Sequence, residues 1–203
     1  MTSILKADDI QDSSGNNIIN ESGDVITIGA SGDTITIPSG ATITNSGTAT
    51  GFGGDSTPAF EAYLSADQSV TDDTDTKAAC NTEVFDTDGC YDNSTNYRFL
   101  PTTAGKYFVY GFIETTTPAV DATVYSIVSL KLNGSVILYS MLDCRDNSLG
   151  YNNGVTVCGV IDMDGSSDYI ELWGQFNSYT TTKFSGNATQ RRTGFGAYKL
   201  IGV

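Results

Sequence analysis

Carboxylates on a glycine-containing loop are the residues of this chain with the clearest capacity for chemistry. Asp162, Asp164 and Asp168 lie in the segment DMDGSSD, where the glycine lets the backbone curve around an ion. Their spacing does not match the full D-x-D-x-D-G-x5-E pattern of an EF-hand. We therefore expect either a calcium site at these three aspartates or an ordinary solvated turn, and the spacing leaves both open.

A glutamate and the only tryptophan would suit sugar chemistry. Glu171 and Trp173 are two residues apart on a predicted strand, so they face the same side of it. Glycosidases use a pair of carboxylates, and Glu171 is the only one beside this aromatic residue. We therefore expect a structural role for both residues.

The composition removes most other catalytic chemistry. The chain has no histidine, which is the commonest general base, so its four cysteines lack the partner that activates a thiol nucleophile. Local pairing of Cys80 with Cys90 and of Cys144 with Cys158 would close loops of about 10 to 15 residues. Four buried free thiols are the alternative. We expect a protein that is not an enzyme and that has no cofactor apart from the calcium considered above.

The charge limits the partners. Asp and Glu number 24 against 10 Lys and Arg, which gives a net charge of −14. Such a surface repels nucleic acid and anionic membranes. No apolar run approaches the roughly 20 residues of a membrane helix or the length of a signal peptide. We expect a protein made in a cytoplasm without an export signal.

The elements that must position these residues are strands. Residues 59–203 alternate apolar and polar residues, as in KYFVYGFIE, and show no helical period. Asn133 and Gly134 predict a two-residue hairpin turn of type I′. Nine strands are predicted, at 59–66, 82–85, 97–99, 105–116, 123–132, 135–142, 154–163, 169–176 and 193–201. This number suits an all-β sandwich or jelly roll.

The N-terminal part has a different pattern. Residues 22–48 repeat short T-I-T-I alternations between glycines, and each repeat is too short to bury its isoleucines alone. We therefore predict a β-rich stalk whose Ile26, Ile28, Ile35, Ile37 and Ile43 pack against neighbouring repeats or against other copies of the chain. Residues 1–21 carry the apolar pairs Ile4–Leu5 and Ile18–Ile19, which suit either an anchor that docks on a larger assembly or a mobile terminus. Glycine-rich residues 49–58 predict a linker to the head at 59–203.

Several segments of the head resemble the C1q and tumour necrosis factor-like jelly roll. They are AFEAYLSA, VFDTDGCYD, YRFLPTTAGKYFVYGFIE, SLKLNGSVI, SSDYIELWGQF and TGFGAYKLIG, in this order. The F-x-P-x-x-x-G-x-Y pattern from Phe99 to Tyr107 is the most specific of them. The resemblance implies an antiparallel jelly-roll sandwich that forms tight trimers with the first and last strands near the axis. It makes Phe60, Tyr63, Phe195 and Tyr198 candidates for the packed subunit interface, although the same four residues suit the core of a single chain equally well. It also keeps calcium under consideration.

The N-terminal openings ILKADDIQD, NNIINESGD and ITIGASGD resemble those of marine bacteriophage structural proteins. This resemblance implies a homotrimeric virion protein, displayed on the particle surface, whose N-terminal segment binds capsid or tail proteins and whose head projects outward. The short stalk favours a head decoration or head fibre. A tail fibre that binds a host surface receptor and a secreted carbohydrate- or protein-binding module are the alternatives.

Overall fold

The chain is built from strands and turns. A computed structural model describes residues 9–11, 13–15, 17–23, 25–29, 31–44, 46, 56–119, 122–145, 152–180 and 182–201. No helix occurs among these residues, and none of the described segments could cross a membrane as a long apolar helix. The predicted all-β class is therefore confirmed. The chain divides into two compact units, residues 1–50 and residues 51–203.

The first unit contains β1 (Asp9–Gln11), β2 (Asn17–Ser22) and β3 (Val25–Ile28), which form one antiparallel sheet in this order. Ile10 is paired with Ile19, and Ile19 with Ile28. Of the predicted repeats, only the first forms a strand, which is β3. The later repeats lie largely in the described residues 31–44, and these residues contain no strand. An isolated short repeat has no neighbouring strand to bond with inside one chain, which explains the difference.

The second unit contains thirteen strands among its described residues. They are β4 (Ala59–Tyr63), β5 (Ala66–Val70), β6 (Thr76–Lys77), β7 (Thr82–Asp86), β8 (Tyr91–Asp92), β9 (Arg98–Phe99), β10 (Gly105–Thr116), β11 (Thr123–Leu132), β12 (Ser135–Asp143), β13 (Asn152–Met163), β14 (Ile170–Ser178), β15 (Thr182–Asn187) and β16 (Gly194–Lys199).

These strands form a sandwich of two antiparallel sheets. The front sheet has the order β5-β15-β10-β16-β4-β7. β13 also belongs to this sheet and pairs with β10 along the edge that faces away from β16. The back sheet has the order β12-β11-β14-β9-β8, and β6 also pairs with β14. Buried residues alternate with more exposed residues along β10 and β13, as expected for strands between a core and solvent.

Aromatic rings from both sheets stack in the core of the head. The ring of Phe60 lies 4.5 Å from that of Phe99 and 4.7 Å from that of Tyr91, centroid to centroid. Phe195 meets Phe60 edge-on at 4.9 Å. All four side chains are buried. The stack therefore joins β4 and β16 of the front sheet to the short strands β8 and β9 of the back sheet.

Two local predictions are confirmed. Asn133 and Gly134 connect β11 to β12 with φ angles of 51° and 80°, as a type I′ turn requires. In the F-x-P-x-x-x-G-x-Y segment, Gly105 opens β10 with φ of 150°, a conformation that favours glycine. Tyr107 then returns to the core, where its hydroxyl donates a hydrogen bond of 2.6 Å to the carbonyl oxygen of Thr103.

Candidate association surface

The outward side of the front sheet carries a row of aromatic side chains. Phe108, Tyr110 and Phe112 alternate with buried residues on β10, so all three face away from the core. Phe108 lies directly between Val160 of β13 and Tyr198 of β16, and its ring is 5.5 Å from that of Tyr198. We call these five residues the aromatic face.

Small residues on β16 allow the aromatic rings to lie against the sheet. A Cβ atom at Gly196 would come within 2.5 Å of the Tyr110 hydroxyl, and one at Gly194 within 3.1 Å of the Phe112 ring. The two rings therefore occupy the space above β16 that larger side chains would fill. Glycine at these two positions is needed for this close approach.

Hydrogen bonds fix the centre of the face. The Tyr110 hydroxyl donates a 3.0 Å hydrogen bond to Oε2 of Glu61 on β4, and Arg191 forms a 2.6 Å ion pair with Oε1 of the same carboxylate. Burial and the nearby Glu61 carboxylate raise the pKa of Tyr110, so its hydroxyl stays protonated and remains a donor. The ring consequently has one preferred position.

Much of the aromatic face is open to solvent in a single chain. Val160 is 55% exposed and Tyr198 is 41% exposed, while Cys158, which is paired with Tyr110, is also exposed. Contiguous exposed apolar side chains of this kind usually mark an interaction site. The arrangement can bury apolar area against another protein surface.

The four predicted interface positions of the head separate into two groups. Tyr198 belongs to the aromatic face, and Tyr63 is half-buried on the same side of the sheet, paired with Gly194. Phe60 and Phe195 are 1% and 0% exposed within one chain. These two residues therefore take the second of the two places that the sequence left open, because their rings stack in the core of their own subunit.

One small sheet carries some of the residues predicted for the stalk and some of those predicted for the anchor. Ile10, Ile19 and Ile28 are aligned across its three strands, and Ile26 shares their side of β3. Ile26 and Ile28 are exposed, and Ile35 and Ile37 are exposed in the following segment. Ile18 points to the opposite side of β2, and Ile4 and Leu5 lie outside the described residues. Ile19, assigned to the anchor, thus shares a surface with residues assigned to the stalk interface.

The three aspartates of the candidate calcium site do not converge. Asp162 forms a 2.6 Å ion pair with Lys106. Asp164 accepts hydrogen bonds from the backbone N–H groups of Ser166, Ser167 and Asp168. Together with the Ser167 hydroxyl, these donors lower the pKa of Asp164. No described segment holds three metal-ligating side chains together, and the solvated turn is the alternative that fits the geometry.

The cysteines form no disulfide in the structure. Cys80, Cys90 and Cys144 are buried, whereas Cys158 is exposed on the outward side of β13. All four are free thiols, as in the second alternative left open by the sequence, but only three of the four are buried. Burial raises the pKa of the Cys80 thiol.

The groups considered for catalysis are committed to other contacts. Glu171 binds Lys77 at 2.5 Å through Oε1 and accepts a 2.9 Å hydrogen bond from Nε1 of Trp173 through Oε2. Arg191 and Arg192, the only adjacent basic pair in the sequence, bind Glu61 and Glu114 of their own chain. Sequence reasoning missed Phe108, Tyr110 and Phe112, although their two-residue spacing in KYFVYGFIE was the available signal.

Comparisons with known proteins agree with this architecture. No protein-family model and no curated protein matches the chain. The structure of Eiger TNF from S. frugiperda is similar, with a TM-score of 0.52 and 10% identity over 70% of this chain and 91% of that one. Two structures of murine APRIL, at pH 5.0 and pH 8.5, match with TM-scores of 0.48 and 0.47 at 15% identity, over 70% of this chain and 99% and 98% of theirs. The similarity to Eiger shows that the head has the jelly-roll fold of the tumour necrosis factor-like proteins.

Proposed function

We propose that this chain is a non-enzymatic structural protein of a virion, in which three copies associate through the aromatic faces of their heads. The N-terminal segment binds capsid or tail proteins, and the head projects from the particle surface. A head decoration or head fibre is favoured over a tail fibre because the repetitive segment at 22–48 is short.

The observation that carries the proposal is the exposed aromatic face. A single subunit leaves Val160 and Tyr198 open to water beside Phe108, although the same chain buries six other large aromatic side chains almost completely. Covering such apolar surface is the main source of free energy for association between subunits. The choice of three copies follows from the trimeric jelly-roll family that the head resembles.

The small sheet offers a second apolar surface that copies brought together by their heads would cover. No described residue of its three strands lies over its isoleucine-bearing side, as the 67% exposure of Ile26 shows. A three-stranded sheet gains independent stability only when it has a buried apolar face. Copies of the same sheet, or a virion partner, would supply that cover.

The contacts of Glu171 support the proposal that the protein is not an enzyme. Glu171, the carboxylate beside Trp173, is 6% exposed, with one oxygen on Lys77 and the other on the indole. A carboxylate that neighbouring side chains hold through both oxygens fits a structural role.

The mass of the native assembly tests the association. We expect light scattering after size-exclusion chromatography to give three times 21.5 kDa for the full chain. The double variant Val160→Asp/Tyr198→Asp places six carboxylates in the shared interface and should elute at 21.5 kDa. Tyr179→Asp is the matched control, because Tyr179 is 81% exposed just after β14 of the back sheet. A wild-type chain that is monomeric would refute the proposal.

Cys158 provides a second readout of the same interface. It lies beside Tyr110 and is exposed in one subunit, so an assembled face should slow its alkylation. The dissociated double variant should react at least tenfold faster. Equal rates in the two proteins would show that the aromatic face is not the surface that is covered.

The virion role needs a separate experiment. Purified particles of the virus that encodes the chain should contain it by mass spectrometry, and a particle reconstruction should show three-lobed densities on the capsid or on the tail. Particles that lack the chain would remove the virion role and would leave the association intact.

A further inference from the structure

The back sheet carries a second surface of a different chemical character. On its outward side, Tyr139 of β12, Ser129 of β11 and Trp173 of β14 are aligned across three neighbouring strands. Strands in a sheet are about 4.8 Å apart, so the Cα atoms of the two aromatic residues are about 10 Å apart. A small side chain thus lies between two aromatic side chains. Tyr139 is 68% exposed, which is unusual for an uncharged ring.

Ser129 has an unused hydroxyl at the centre of this row. The residue is only 4% exposed, yet its hydroxyl makes no hydrogen bond with any residue that the structure describes. No described side-chain polar atom is both fully buried and unpaired, so solvent must still reach this hydroxyl. A ligand with its own hydroxyl would replace the water that reaches this group and would take over its hydrogen bond.

Trp173 is held in place by its surroundings. Its Nε1 donates to Glu171, which Lys77 also binds, and the Nζ of Lys131 lies 3.7 Å from the centroid of the indole ring. Lys131 is itself paired with Asp75. A ring that is fixed before a ligand arrives loses little conformational freedom on binding.

A second row beside the first offers fixed polar groups. Gln175 follows Trp173 on the same side of β14, and its Nε2 donates to Asp73 at 2.7 Å and to the hydroxyl of Tyr125 at 3.1 Å. Tyr125 also donates a hydrogen bond to Asp73. The surface therefore combines aromatic rings with side-chain donors and acceptors whose positions are set by each other.

We propose that the Tyr139–Ser129–Trp173 row and the adjoining Gln175 and Tyr125 bind a neutral glycan. A sugar ring has apolar C–H groups that pack on aromatic rings and hydroxyl groups that replace water at polar side chains. An anionic ligand is disfavoured, because Lys77 and Lys131 are already paired with carboxylates and the chain carries a net charge of −14. The site lies on the back sheet, so it does not depend on the association of the aromatic faces.

The single tryptophan makes the site directly testable. The full chain is titrated with neutral oligosaccharides, namely hexaoses of α-1,4-glucose, β-1,4-glucose and β-1,4-N-acetylglucosamine, and is applied to an array of immobilised neutral glycans. Trp173 is the only tryptophan, so binding should change the intrinsic fluorescence in a saturable way. A hyaluronan hexasaccharide and heparin serve as the anionic comparison.

Matched variants separate the site from the rest of the surface. Tyr139→Ala should weaken binding of the selected glycan at least tenfold, and Ser129→Ala several-fold. Tyr179→Ala should leave it unchanged, because this exposed tyrosine lies outside the row. The proposal is overturned if no neutral glycan binds, if the anionic glycans bind equally well, or if Tyr139→Ala lowers the native mass and so assigns this ring to a subunit interface.

Discussion

Truncation of Phe60 tests whether this ring belongs to the core of one subunit or to the interface between subunits. The resemblance to trimeric jelly rolls implied an interface position, whereas the structure places the ring at 1% exposure against Tyr91, Phe99 and Phe195. Tyr198, 41% exposed on the aromatic face, is the matched comparison. Phe60→Ala should therefore affect the unfolding of a single subunit, and Tyr198→Ala should affect the association of subunits.

The contacts set the size of the two effects. Removing a buried phenylalanine typically costs about 3–5 kcal/mol of unfolding free energy, and the three aromatic contacts place Phe60 at the upper end of this range. A large aromatic side chain can bury about 200 Å², so the exposed part of Tyr198 is on the order of 80 Å². At about 25 cal/mol per Å², covering it contributes about 2 kcal/mol per subunit to association and little to the fold of a single head.

The assay combines urea unfolding, followed by circular dichroism, with native mass measured at several protein concentrations. Both substitutions are made in the wild-type chain, and Phe60→Ala is also made in the dissociated Val160→Asp/Tyr198→Asp chain. We expect Phe60→Ala to lower the unfolding free energy of the dissociated chain by at least about 3 kcal/mol. In the wild-type chain, Tyr198→Ala should lower only the part of the unfolding free energy that depends on protein concentration, which is the contribution of association. A loss below about 1 kcal/mol for Phe60→Ala, with a fall in native mass, would refute the core assignment.

Three further predictions concern the turn, the acid stability and the thiols. Gly134→Ala should cost roughly 1–2 kcal/mol in chemical denaturation because φ is 80°, whereas Gly154→Ala, where nothing lies within 4 Å of the new Cβ, should be nearly neutral. Hydrogen bonds from the backbone N–H groups of Thr95 and Ser94 lower the pKa of Asp92, so its stabilising effect is complete above about pH 4 and is lost as the pH falls below that value. Asp92→Asn should therefore flatten the decline of Tm between about pH 5 and pH 2, and an unchanged decline would contradict the assignment. In the dissociated chain, one thiol of four should react under native conditions and all four after unfolding; a second rapidly reacting thiol would contradict the burial of the other three.

The long strands were predictable because their environment is uniform. In β10 and β11, the structure reproduces the predicted bounds 105–116 and 123–132. Both strands lie between a core and an outward surface over their whole length, so the two-residue period is continuous. The turn at Asn133 and Gly134 was equally accessible, since its conformation is local and depends on two residue types.

Some of the shorter strands were not predicted from the sequence, and β15 shows the physical reason. β15, Thr182–Asn187, lies in the polar sequence YTTTKFSGN and pairs with β5 on one edge and with the end of β10 on the other. Its backbone partners are more than 60 residues away in sequence. Hydrogen bonds between such distant segments define the strand, and a local apolar period does not reveal them.

A parity argument could have decided between interface and core for the four aromatic residues at the ends of the head. Phe60 and Tyr63 are three residues apart on β4, and Phe195 and Tyr198 are three residues apart on β16. Residues three apart on a strand face opposite sides of its sheet, so each pair must contribute one ring to the core and one to the outward surface. The backbone pairing of Phe60 with Ala197 and of Tyr63 with Gly194 then decides which ring of each pair lies in the core and which faces outward. A family resemblance that places both strands near a shared axis cannot override this alternation, because the axis adjoins only one side of the sheet.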